Sequence, residues 1–310
     1  MAKRAVHSLK ARNSLAKCSE KLKSRDFVEH RMARRAELIE SHFEKRTLET
    51  RQWQNRPPPQ APGNTSEPCI LTPEVTVGPY YVSDELIRPD ISEGQDGIDL
   101  LLDFQLIDVN TCLPVPRAMI DVWHCNTTGS YSGFAQENTA ELSFNRGLQP
   151  TDRNGIMHMK TSFPGWYQGR ATHIHIAAHI NGKVNRETHT YEGGITNHVG
   201  QVFFPEDTLT AVETVAPYNT NEVIRLRNAE DGIFVEENTG YNAVSEIQFL
   251  GRSIEDGVLA FISIGIDISA NHTDALLGGA GGPGGPGGPP NGTFPSNGTF
   301  PGGNGTTLPV

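Results

Sequence analysis

The residues with the clearest chemical potential are His173 and His175, which close the stretch Pro164-Gly165-Trp166-Tyr167-Gln168-Gly169-Arg170-Ala171-Thr172-His173-Ile174-His175-Ile176. Polar and apolar residues alternate from Thr172 to Ala178. In a strand, His173 and His175 therefore project from one face while Ile174 and Ile176 project from the other. Two imidazoles on one face can share a metal ion, although a His-x-His pair also occurs on solvated strands. Tyr167 and Arg170 stand just upstream, after a Pro-Gly turn that places them at the edge of the same face. A second glycine-flanked tyrosine, Tyr131, lies in Trp123-His124-Cys125-Asn126-Thr127-Thr128-Gly129-Ser130-Tyr131-Ser132.

Other spacings recur around these residues. They are Asp121-x-Trp123-x-Cys125, Gly129-x-Tyr131-Ser132, Phe144-x-Arg146-Gly147 and Pro164-Gly165-x-Tyr167-x-x-Arg170-x-x-His173-x-His175. Upstream comes Thr72-Pro73-x-x-Thr76-x-Gly78-Pro79-Tyr80-Tyr81. On these motifs, spanning roughly residues 70 to 205, the chain resembles the intradiol ring-cleavage dioxygenases, the group of catechol and protocatechuate dioxygenases.

The resemblance implies that Tyr131, Tyr167, His173 and His175 bind a non-haem Fe(III). The donor chemistry agrees, because phenolate oxygen is a strong anionic donor to a hard ferric ion. Zinc more often takes Cys, His and carboxylates, and Fe(II) oxygenases use two His and one carboxylate. The resemblance further implies that Tyr167 is displaced by a catechol substrate, that Arg170 stabilises negative charge on the ring, and that Gln201 hydrogen-bonds near the metal. Tyr80, Tyr81 and Trp166 would line the substrate pocket. The implied reaction is cleavage of a catechol between its hydroxyl-bearing carbons by O2, giving a cis,cis-muconate-type diacid. The competing classes are a non-catalytic secreted β-sandwich binding module and a zinc or copper hydrolase built on the same residues.

The chain has 310 residues and a formal net charge of -10. That figure hides an asymmetry: residues 1 to 56 hold 15 Lys/Arg against 7 Asp/Glu, and the remainder holds 11 against 29. Acids and apolar residues interrupt the basic arm, and an acidic body repels phosphate, so no nucleic-acid partner is expected. No apolar run approaches a membrane span. The expected partners are a small catechol and O2, with the chain a monomer or homodimer. Cys18, Cys69, Cys112 and Cys125 contain no C-x-x-C pair. Pairings Cys112 with Cys125 and Cys18 with Cys69 are preferred, the former because it would pin the loop leading to Tyr131; four free thiols are the alternative. Sequons at Asn64, Asn126, Asn271, Asn291, Asn297 and Asn304 suggest a secreted glycoprotein. No apolar signal core opens the chain, and Lys3-Arg4 is read as lying near a processing point, with a signal segment expected upstream.

The organisation expected is a helical N-terminal arm over residues 1–55, a Pro-rich linker over 56–68, a catalytic domain over 69–272 and a disordered Gly/Pro/Asn-rich tail over 273–310. Leu9, Leu15, Leu22, Val28, Met32, Leu38 and Phe43 recur at loosely helical spacing in the arm. It would pack on the body, mediate dimerisation or act as a lid. The catalytic domain reads as mainly β, an antiparallel sandwich with strands near 98–109, 118–124, 156–163, 172–180, 200–204 and 258–268. Helical signal in this body is confined to short pieces near Leu86 and at Glu206 to Val212.

Overall fold

The structure is a computed structural model that describes residues 18, 24–50, 70–71, 76–239 and 241–278. The linker, the tail beyond 278 and most of the first 23 residues lie outside the described residues.

Helix α1 (Arg25–Thr50) is followed by strands β1 (Ile70–Leu71), β2 (Asp99–Asp108), β3 (Leu113–Pro114), β4 (Met119–Trp123), β5 (Arg146–Pro150), β6 (Ile156–Ser162), β7 (His173–Ile180), β8 (Lys183–Asn185), β9 (Thr190–Glu192) and β10 (Ile195–Phe203). Then come α2 (Glu206–Val212), α3 (Gly232–Asn238), β11 (Glu246–Phe249), β12 (Val258–Ile266) and α4 (Thr273–Gly278). Two principal sheets result. The first joins β1, β12, β2 and β3, with β11 on β12 and β6 on β2; the second has the order β10-β7-β4-β5.

Alternation along the strands makes these sheets a sandwich. Leu100, Leu102, Phe104 and Leu106 of β2 and Ala260, Ile262 and Ile264 of β12 meet Ile120 and Val122 of β4 and Ile174 and Ile176 of β7 in one buried core. The residues between them point away from that core. On the second sheet the outward set includes Asp121, Trp123, His173, His175 and Gln201, so the histidine pair sits on the sheet's outer face. Its pairing is antiparallel throughout. In the first sheet, β12 runs parallel to β2 and β1. That geometry needs a long crossover, and the chain supplies one by building the whole second sheet between β2 and β12.

Several local features differ from expectation. The segment near Leu86 is extended instead of helical, because Leu86 bridges Thr190 and Ile87 bridges Leu148. Helix α4 extends the ordered body beyond 272, with Leu276 buried. The short strands β5, β8, β9 and β11 and helix α3 carried too little periodicity to be read.

Helix α1 covers the outer face of the first sheet. Ile39, Leu38 and Phe43 pack on Leu101, Leu259 and Phe261. Arg35 lies over the Phe261 ring, 3.6 Å from its centroid, and its Nε donates to Asp103 Oδ2 at 3.1 Å. Burial works against the Asp103 charge, yet His158 and Arg35 outweigh it and hold the carboxyl below its ordinary range. Removing one partner of such a buried pair typically costs about 3–5 kcal/mol. The described part of the arm is thus packed on the face opposite the histidines and is no lid over them.

The preferred cysteine pairing is corrected. Cys18 is bonded to Cys112, and Cys125 is a buried free thiol. Cys112 lies in the turn after β2 and clusters with Cys18 and Ile107 on the α1 side of the molecule. Cys125 follows β4 and packs with Tyr131 on the other side. The thickness of the sandwich separates them. Cys69 lies outside the described residues.

Non-reducing peptide mapping should therefore recover a Cys18–Cys112 peptide and leave Cys125 unreactive until the protein unfolds. C112S should cost about 3–5 kcal/mol in denaturant titrations, as expected for a long closed loop. Recovery of a Cys112–Cys125 peptide would contradict this connectivity.

Candidate metal centre

Register brings the central residues together. His175 of β7 is flanked by Trp123 of β4 and Gln201 of β10, while His173 pairs with Phe203. Trp123 stacks on the His175 ring, with centroids 5.0 Å apart and planes 6° from parallel. The His173 and His175 Nε2 atoms are 3.0 Å apart. His173 Nδ1 contacts the Ala171 carbonyl at 2.6 Å, which assigns the proton to Nδ1 and leaves a lone pair on Nε2.

The two tyrosines arrive on loops locked to each other. Asn126 Oδ1 accepts from the Ser130 and Thr128 backbone N–H groups, closing the turn before Tyr131. Gly165 N–H donates to the Asn126 carbonyl at 3.1 Å. Both loops need glycine at the contact: a Cβ on Gly165 would lie 2.2 Å from the Thr127 carbonyl oxygen, and one on Gly129, whose φ is +91°, would lie 2.4 Å from that of Trp166. Tyr131 is thereby set against Tyr167, ring centroids 5.7 Å apart, and Tyr167 Oη reaches His173 Nε2 at 3.3 Å. Tyr131 Oη is fully buried and faces the Tyr167 side chain.

The electrostatics of this cluster suit a cation. Burial, then Arg170, pushes the pKa of His173 far below its ordinary value; burial, then His173, does the same to His175, so both imidazoles are neutral. Burial raises Tyr131 well above the ordinary phenol range, with Tyr167 adding to it. Tyr167 is pushed up by burial to about 12, with Arg170 pulling the other way. Two neutral imidazole lone pairs and two buried phenols are what a metal that ionises the phenols requires. Among the described residues, no group of three His, Cys, Asp or Glu is placed to hold a metal. A complete donor set here therefore depends on tyrosine oxygen, and the residues present fit a ferric ion.

Arg170 and Gln201 lie beside the donors. Arg170 Nη2 donates to Gln201 Oε1, and Gln201 Nε2 donates to the Thr76 carbonyl at 3.2 Å. That last bond draws the 76–78 segment over the site, where a Cβ on Gly78 would be 3.3 Å from His175 Cε1. Tyr80 stacks on Tyr131 at 4.1 Å and 3° and meets Tyr167 edge-on, so it walls the cluster. Tyr81 instead packs on Trp123. The Trp166 ring belongs to the inter-sheet core, and its Nε1 donates to the Val223 carbonyl at 2.6 Å. His124 is likewise used, between the Cys125 carbonyl and Thr161, and burial lowers its pKa to about 4.

Motif spacing names Asp121 and Arg146 but does not reveal that, with Glu85, they form a group of buried charges behind the donors. Arg146 donates through Nε to Ser132, next to Tyr131, and through Nη1 to Glu85 Oε1 at 3.1 Å. Glu85 and Asp121 lie together with this arginine, Tyr81 and His179 around them. One guanidinium cannot neutralise both carboxylates. Burial raises Asp121 to about 7, and burial with the neighbouring Asp121 raises Glu85 well above its usual value, so the pair retains a proton. Because the folded-state pKa exceeds the unfolded one, the stability this proton contributes is complete below about pH 4 and is lost as the pH rises to about 7. D121N mimics the protonated acid. Its melting temperature relative to wild type should therefore be higher at pH 8 than at pH 5; a pH-independent difference would show that Asp121 titrates normally.

A family model described as a dioxygenase matches residues 76–246. Catechol 1,2-dioxygenase of Acinetobacter baylyi is 31% identical over 101 residues, which is 31% of this chain and 32% of that protein. Catechol 1,2-dioxygenase of a Pseudomonas species is 34% identical over 101 residues, again 31% of this chain and 32% of its own length. These matches span about a third of the curated relatives. Among solved structures, an intradiol ring-cleavage dioxygenase from Tetranychus urticae is similar with a TM-score of 0.57 and 32% identity, over 66% of this chain and 98% of that one. With the family match covering more than half of the sequence and the donor cluster at its centre, the chain belongs to the intradiol ring-cleavage dioxygenase family.

Proposed function

We propose that this protein is a non-haem Fe(III) dioxygenase that cleaves a catechol between its two hydroxyl-bearing carbons with O2, giving a cis,cis-muconate-type diacid. The observation that carries the reading is the convergence of Tyr131, Tyr167, His173 and His175 into one buried set of two phenols and two neutral imidazoles.

These four residues would hold the iron. The chemistry a ferric ion supplies when bound is Lewis-acid activation of a chelated catecholate toward O2. The protein's own groups do the rest. Tyr167 is the less enclosed of the two tyrosines and is hydrogen-bonded to His173, so its oxygen would be placed to accept one of the two catechol protons. Arg170, a buried permanent cation beside Tyr167, stabilises negative charge that builds on the ring. Gln201 fixes the guanidinium on one side, and Tyr80 supplies a flat wall against which an aromatic ring can lie. Tyr81 and Trp166 hold that wall and the Tyr167 loop from behind. The catechol and O2 are the partners this chemistry requires. The Cys18–Cys112 disulfide and the sequons support action in an oxidising, extracellular compartment.

The test is the visible spectrum of the iron-loaded protein before and after anaerobic addition of catechol. A tyrosinate-to-iron charge-transfer band that shifts with catechol is expected, and chelation of the iron should abolish both the band and turnover. Tyr167→Phe should lower kcat roughly a hundredfold, in the range for a lost proton acceptor, while Y131F should weaken the band itself. A protein that stays colourless after iron reconstitution would instead support the non-catalytic binding-module reading.

A further inference from the structure

We propose that Asp231, at the head of helix α3, is a positioning residue that holds Arg170 in its working place, with the helix as a bracket between Arg170 and Gln201. The inference rests on the reading above, in which Arg170 is the cation beside the substrate.

Asp231 is 1% exposed, and its carboxylate accepts from four N–H groups. Oδ2 accepts from Arg170 Nε at 2.8 Å and from the Ala171 backbone at 2.9 Å; Oδ1 accepts from the Ile233 and Phe234 backbones at 2.8 and 3.2 Å. One oxygen caps the helix, and the other fixes both the arginine and the backbone two residues before His173. At the far end of the same helix, Glu237 Oε1 accepts from the Gln201 backbone at 2.8 Å. That N–H lies on β10, which among the described residues is the edge strand of its sheet, so a side chain receives it in place of a ladder carbonyl. Gly200 leaves room for this approach, since a Cβ there would stand 3.1 Å from Glu237 Oε1. Phe234 packs on Phe203, which itself packs on His173, and so seats the helix against the strand. The bonds form a closed loop: Asp231 to Arg170, Arg170 to Gln201, Gln201 to Glu237, and Glu237 back to Asp231 through the helix. Burial of the guanidinium disfavours its charge, Tyr167 and then the Asp231 carboxylate offset that cost, and the carboxylate fixes the fork at Nε. The guanidinium is left pinned at two of its nitrogens.

D231S separates the two tasks of this residue, because a serine oxygen can still cap the helix but does not accept from Arg170 and Ala171 together. In D231S, kcat per bound iron should fall about a hundredfold, as for a misplaced catalytic group, with KM for catechol changed less than about threefold and the charge-transfer band retained. In a double-mutant cycle, R170Q/D231S should be no slower than R170Q alone, because Asp231 acts through Arg170. A second readout uses the metal-free protein. The Arg170 Nε–H resonance, identified by its loss in R170K, should be protected from solvent exchange in wild type and exchange rapidly in D231S. D231N, which retains the side-chain volume but only one acceptor oxygen, serves the same measurements if D231S does not fold. Unchanged Nε–H protection, or effects on kcat that multiply in the double variant, would overturn the proposal. A wild-type protein without the iron band would overturn the dioxygenase reading instead, and the metal-free measurement would still decide whether Asp231 holds Arg170.

Discussion

The pleat of β7 is the constraint from which the rest of the structure follows. A strand presents successive side chains to opposite faces, so Ile174 and Ile176 can fill the space between two sheets only if His173 and His175 turn outward. A slip of one residue would put imidazoles in the core and isoleucines at the site. The hydrophobic core thus fixes the histidines as firmly as any direct contact does. Neighbouring strands inherit the same register: Trp123 and Gln201 lie on either side of His175 because β4 and β10 obey the pairing that buries Val122 and Val202.

Burying so much polarity on that outer face requires local compensation, since an unpaired charge removed from water is costly. The molecule answers with a carboxylate for each nearby cation. Arg170 has Asp231, Arg146 has Glu85, and on the opposite side of the sandwich Arg35 has Asp103. Glu85 and Asp121 share one guanidinium and keep a proton between them, and the tyrosine and histidine cluster is a set of neutral donors. Within the cluster the donor atoms face one another: Tyr167 Oη meets His173 Nε2, and the two imidazole Nε2 atoms stand 3.0 Å apart.

Much of this was legible in the chain. The two-residue period of Thr172 to Ala178 predicts the outward histidines, and the turn residues around Gly129 and Gly165 predict loops that deliver Tyr131 and Tyr167. Long apolar alternation places β2, β4, β6, β7 and β12 to within a residue or two at most ends. It does not place the start of β10, because Thr196, Asn197 and His198 break the pattern at a bulge. Short strands such as β8 and β11 have too few residues to show a period. Asp231 was hidden for a different reason: an acidic residue before glycine signals a helix cap at best, and its bond to Arg170 spans 61 positions. The disulfide departs from expectation because proximity in sequence between Cys112 and Cys125 says nothing about which side of a sandwich each occupies.

The placement of α1 has a consequence for how such a chain can change over time. The helix is fastened to the first sheet by an ion pair and an apolar contact, with the disulfide joining Cys18 just upstream to the β2–β3 turn, while the donor cluster lies behind the second sheet. The two outer surfaces share only the central core. Substitutions that remodel the arm can accumulate without moving a donor atom, and the loops that shape substrate choice can diversify without loosening the arm. The sandwich works as a partition between a face free to acquire new attachments and a face held to one chemistry.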